Sequence, residues 1–97
     1  MKINEYTRAV PIAIVANGQV TYHFNSMGTR IIRDILTAWP TATSHYVVFR
    51  LYDRYIIINP HSIWLHPEGY SASYDTNDFV TEDAAIMAAT LLLSERN

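Results

Sequence analysis

Cysteine is absent from this chain, which excludes disulfide bridges and thiolate-held metals. Glycine is scarce. Gly18, Gly28 and Gly69 are the three present, and their spacing makes no phosphate-cradling loop. Lysine occurs once, as Lys2, against six arginines, and the net charge is -2. A chain so balanced has no general attraction to nucleic acid or anionic lipid. No run approaches the roughly 20 apolar residues of a membrane span. The opening Met1-Lys2-Ile3-Asn4-Glu5 has no apolar stretch after its lysine, so it does not read as a signal peptide. A cytoplasmic location is the expectation. What is present is 97 residues at 49% hydrophobic. That makes one domain, residues 1–97, close to the lower limit for a core without covalent staples.

Internal repeats and linkers are not found, so the chain divides only by periodicity. Ala9 to Val15 is apolar and partly β-branched, and Val20 to Phe24 is a second such run. Asn17-Gly18 between them is a strong hairpin signal, because a type I′ turn needs positive φ at both positions. Pro11 lacks an N–H, so its strand starts late or lies on an edge. Met27, Ile31, Ile32, Ile35, Leu36 and Trp39 recur at helical spacing and predict a one-sided amphipathic helix from about Ser26. Pro40 ends it. His45 to Tyr52 reads as a strand, Asp53-Arg54 as a two-residue turn, and Tyr55 to Ile58 as a strand buried on both faces. Ser62 to His66 predicts a third short strand. Tyr70 to Asp78 is either an edge strand or a loop. The order ββ-α-βββ-α predicts an α+β fold, with an antiparallel sheet of four to five strands and two helices on one face.

The closing helix, Thr81 to Arg96, carries more apolar surface than that fold absorbs. Thr81 suits the N-cap, and Glu82 and Asp83 suit the positive end of the helix dipole. On a wheel, Ala84, Ala85, Ile86, Ala88, Ala89, Leu91, Leu92 and Leu93 cover well over half the circumference. A surface helix normally shows one apolar stripe. The strands are also apolar on both faces, while two helices cover only one. Uncovered apolar surface of this extent implies association. The expectation is a homodimer or a complex with another protein, through the Ile86 and Leu93 side of the last helix or through the helix-free sheet face.

Catalytic motifs are missing where they would be legible. His61 and His66 are five apart, on opposite faces if both lie in a strand. Ser44-His45 are sequence neighbours, which does not aim one side chain at the other, and no G-x-S-x-G occurs. Asp53, Glu68, Asp75 and Asp78 fall in turns and loops, where acids serve turn chemistry. Neither a metal nor a cofactor is expected. Two surface signals remain. Arg30 and Arg33 share a helix face, and Arg50 lies mid-strand, so the three form a candidate anion-binding set. Tyrosine and tryptophan crowd the second half. Tyr52, Tyr55, Trp64, Tyr70 and Tyr74, with Ile86 and Leu93, are the candidate interface, because these rings bury much area and still offer a donor.

From Ser26 onward the α-βββ-α order is similar to that of the double-stranded RNA-binding domain, and Ala84-Ala85 and Ala88-Ala89 resemble that family's alanine-rich last helix. Where the family places phosphate-holding lysines, this chain has Thr81, Glu82 and Asp83, which repel phosphate. Small size with no visible active site also resembles small phage-encoded inhibitors of bacterial defence, such as anti-CRISPR proteins, and small immunity proteins. The functional expectation is a non-catalytic protein-binding inhibitor that occludes a partner surface. The alternatives are a small enzyme with a site assembled from scattered His, Asp and Arg, and a nucleic-acid-binding module.

Overall fold

The apolar residues of the central strands are covered on both sides from within the chain. The computed structural model describes residues 1–4, 6–16, 19–23, 34, 37, 45–67, 69–74 and 77–95. Its strands are β1 (Lys2–Asn4), β2 (Ala9–Ala16), β3 (Gln19–His23), β4 (His45–Leu51), β5 (Arg54–Ile58), β6 (Ile63–His66) and β7 (Gly69–Ser73). A 3-10 turn, Pro60–Ser62, precedes β6, and a helix, α1 (Glu82–Glu95), closes the chain.

These strands form two antiparallel sheets. One has the order β3-β2-β4-β5, the other β1-β7-β6. Successive residues of a strand point to opposite faces, and the four-stranded sheet uses both. Ala13, Val15, Tyr46, Val48 and Ile57 form a core with Ala85, Ala89 and Leu93 of α1. Ile14, Val47, Phe49, Ile56 and Ile58 form another with Ile3, Ile63, Tyr70, Ala72 and Tyr74 of the second sheet and the segment after it. The molecule is therefore layered as sheet, sheet and helix.

This corrects the predicted architecture. The α+β class stands, but seven strands divide between two sheets where one sheet of four to five was expected, and α1 is the one α-helix whose bounds fall within the described residues. The face expected to lack a helix is covered by β1-β7-β6. The predicted helix at Ser26 to Trp39 lies outside the described residues, apart from Asp34 and Thr37, which are helical and exposed. With it goes Trp39, the last of the apolar positions that predicted that helix. β4 and β5 belong to one sheet and β6 to the other, so the likeness in element order to the double-stranded RNA-binding domain does not extend to sheet membership.

Local chemistry explains several of the differences. Pro11 sits in a central strand, opposite Phe49 of β4. A bulge follows between Pro11 and Ala13, a place where proline is tolerated. β5 is buried on both faces yet lies at the end of its sheet. Its outer edge is partly closed by Phe79, which exchanges backbone hydrogen bonds of 2.9 and 2.7 Å with Tyr55. Gly69–Ser73, which overlaps the Tyr70 to Asp78 segment read as edge strand or loop, is the central strand of the second sheet. Its alternation puts Tyr70 and Ala72 inward and the serines outward. Helix α1 begins as its sequence implies, with the Ala84 N–H donating to Thr81 Oγ1 at 3.1 Å. Ala85, Ala89 and Leu93, at a four-residue spacing, are its buried residues.

Candidate functional site: a tyrosine–arginine cluster at one end of the sheet

Two short turns meet at one end of the four-stranded sheet. The first joins β1 to β2. Asn4 Oδ1 accepts from the N–H of Tyr6 at 2.9 Å and of Thr7 at 3.2 Å, and Asn4 N–H donates to Thr7 Oγ1 at 3.1 Å. This Asx turn fixes the backbone and leaves the Tyr6 ring 82% exposed. Arg8, also exposed, follows directly. The second turn is Tyr52-Asp53 between β4 and β5. Register places Leu51 opposite Arg54, so the turn falls one residue earlier than the predicted Asp53-Arg54. Tyr52 has φ 60° and is the one non-glycine with positive φ among the described residues. Its ring is 64% exposed.

Strand register brings the two turns together. Leu51 pairs with Ala9 on one side and Arg54 on the other, while Arg50 pairs with Val10 and Tyr55. Neighbouring strands are about 4.8 Å apart, so the backbones of Arg8, Arg50 and Arg54 fall within a span on the order of 10 Å, but Arg50, opposite Tyr55, is on the helix-side face and Arg54, opposite Leu51, is on the face toward the second sheet. All three are exposed. Within these turns and strand ends, three arginines stand against one described carboxylate, Asp53. Tyrosine and arginine are residue types over-represented among interface hot spots.

The structure distributes the other candidate residues unevenly. Arg50 and Tyr52 belong to this cluster, and Tyr55 lies beside it, half-buried against the helix-side core. Trp64 is 51% exposed but stands on the outer face of the second sheet, in register with Ser71. Tyr70 and Tyr74 are buried in the core between the sheets, which corrects their assignment to an exposed interface: the unforeseen second sheet turns them inward. Leu93 is 4% exposed and faces the four-stranded sheet, which corrects it likewise. Ile86 is half-buried and packs on the same core. Arg30 and Arg33 lie outside the described residues. Tyr6 and Arg8 were not singled out from sequence. The spacing Asn4-x-x-Thr7 just before a strand was the available signal.

The histidines make separate local contacts. Asn59, buried at the end of β5, donates from Nδ2 to the His45 carbonyl at 3.0 Å. Its Oδ1 accepts from the His61 N–H at 3.2 Å and also contacts His61 Nδ1. Burial holds the His45 imidazole below its ordinary pKa. His66 Nε2 lies 2.8 Å from Ser71 Oγ on the open outer face of β6 and β7. Register sets His23 opposite Ala13 and His45 opposite Ala16, on different sides of β2, so those two are not neighbours. No group of three potential metal ligands occurs among the described residues. Elsewhere, Met87, Ala88, Thr90, Leu91 and Ser94 line a shallow groove of about 430 Å³ on the outer side of α1. No helix of the described residues is long and apolar enough to cross a membrane. No family model, curated protein or solved structure matches the chain.

Proposed function

We propose that this chain is a non-catalytic binding protein that acts by occupying a partner protein's surface, in the manner of small phage-encoded inhibitors of bacterial defence. The observation that carries this reading is the set of exposed residues Tyr6, Arg8, Arg50 and Tyr52 at one end of the four-stranded sheet, with Arg54 beside them on the opposite face. Its composition is that of an interface hot spot. Its two turns are held by local backbone geometry, so little conformational freedom is lost on docking. Tyr52 supports the reading from energetics. A non-glycine residue at φ 60° costs about 1–2 kcal/mol, and a position carrying that cost with an exposed ring is a candidate for a role in contact.

The test is a pull-down from extract of cells in which the chain is native. Wild type and an Arg50→Gln, Tyr52→Ser double variant serve as parallel baits. The expected result is a protein retained by the wild type and lost from the variant. Equal retention by both baits would reject the cluster as the contact surface. No retention above a control bait would reject the binding reading itself.

A further inference from the structure

We propose that the outer face of the second sheet binds a neutral, ribbon-like oligosaccharide, with a sugar ring lying on the Trp64 indole and its hydroxyls bonded to the polar side chains around it. This face is on a different sheet from Tyr6, Arg8, Arg50 and Tyr52, so the inference stands apart from the protein-binding reading.

Strand register assembles the face from three strands. Ile3, Ala72 and Ile63 stand opposite one another and belong to the core between the sheets. Their neighbours in sequence therefore point outward. Trp64 of β6, Ser71 of β7 and Asn4 of β1 form one outward row, and Ser73 and Lys2 form the next. His66 lies two residues along β6 from Trp64, on the same face. Trp64 is 51% exposed, and Lys2, Asn4 and His66 are exposed. The middle strand carries Gly69, Ser71 and Ser73 on this face. The face is low along its centre, and a ligand lying there reaches both flanking strands, which are on the order of 10 Å apart.

The side chains select the ligand. A sugar in an extended, equatorially linked chain has broad C–H faces and a rim of hydroxyls. The indole offers a large flat apolar surface to the first. For the second, His66 Nε2 and Ser71 Oγ are paired at 2.8 Å. A serine hydroxyl has one donor and two acceptor sites, so Ser71 Oγ bonds a ligand as well. Asn4 Oδ1 is engaged in the Asx turn, which orients the side chain and leaves its amide N–H groups as donors. A purely apolar ligand would cover these groups without bonding them, which costs free energy. A single-stranded nucleic acid calls for successive stacking rings and a track of cations, and the described outward positions hold one ring and Lys2. A neutral sugar needs no counter-charge. A sheet face suits a flat ribbon better than a coiled chain.

The experiment is an amide-resonance NMR titration of the full chain with cellohexaose and chitohexaose as ribbon probes and maltohexaose as a coiled one. The inference expects saturable shifts confined to residues 2–4, 63–66 and 69–73 with at least one ribbon probe, and weaker binding of maltohexaose. Trp64→Ala should weaken the complex about five- to tenfold, and His66→Ala about two- to fivefold. An amide spectrum unchanged away from this face verifies that each variant is folded. Raising the salt should leave the affinity unchanged, since no ion pair is made. Absence of shifts with both ribbon probes at millimolar concentration, shifts centred elsewhere, indifference to Trp64→Ala, a steep salt dependence or tighter binding of maltohexaose would each overturn the inference. If a ribbon probe binds here while the pull-down retains nothing, the saccharide assignment stands and the protein-binding reading falls.

Discussion

At the scale of single residues, three positions carry consequences that burial alone does not reveal. Tyr52 holds a positive φ that glycine adopts freely. Tyr52→Gly removes about 1–2 kcal/mol of backbone cost and adds about 0.5–1 kcal/mol of chain entropy. It should raise the thermal midpoint by a few degrees, read by calorimetry, and should weaken partner binding by removing the ring. A lower midpoint would show that the turn carries no strain. Asn59 ties the end of β5 to the start of β4 and caps the 3-10 turn. Asn59→Ala removes both of these hydrogen bonds at a buried position, and should cost about 1–3 kcal/mol in urea unfolding. His45 sets a pH dependence. Burial lowers its pKa in the fold, so the neutral imidazole is favoured there. Its contribution is fully present above the unfolded value near 6.5 and is lost as pH falls through the folded value. Wild type should lose stability on acidification below about pH 6.5, and His45→Gln should lose less over the same window. Parallel losses would assign the effect to other groups.

At the scale of elements, the sequence was informative about type and poor about membership. The Asn17-Gly18 signal and the run from His45 to Ile58 mark two hairpins, and β2-β3 and β4-β5 do pair in one antiparallel sheet. The Ile56 to Ile58 run is buried. These features follow from turn chemistry and periodicity between near neighbours. Lys2–Asn4 was illegible because three residues carry no periodicity, and its strand exists only by pairing with Gly69–Ser73, some seventy residues away. Sheet membership is likewise non-local. The same reasoning explains the half-legible site. Arg50 and Tyr52 stood out within one strand, while Arg8 joins them only through the pairing of β2 with β4. For α1, the sequence offered the Ile86 and Leu93 side to a partner, whereas the structure puts Leu93 against the four-stranded sheet. Leu93→Glu should therefore abolish folding, since a carboxylate in that layer has no described partner and its burial costs several kcal/mol. A variant that stays folded in far-ultraviolet circular dichroism would remove α1 from the core.

At the scale of the whole molecule, the decisive feature is what covers the second face of the four-stranded sheet. The expected dimer rested on two surfaces, that face and the helix. An apolar face reads identically in sequence whether its cover is a partner or another part of the same chain. Here β1-β7-β6 is the cover, through Ile3, Ile63, Tyr70 and Ala72. What remains is the outer side of α1. There Met87 and Leu91 are exposed, while Thr90 and Ser94 turn their hydroxyls back to the carbonyls of Ile86 and Thr90 at 2.8 and 3.1 Å. A ridge of two large side chains over a shallow groove is within what monomers tolerate, since the largest apolar patch on a typical monomer is about 300–600 Å². The prediction reverses the expectation drawn from sequence. Light scattering at micromolar concentration should give a monomer mass, and Leu91→Glu should leave both that mass and the thermal midpoint nearly unchanged, because the residue already faces water. A dimer mass that Leu91→Glu reduces to monomer would show that the helix ridge, and not the sheet face, was the surface the excess apolar character pointed to.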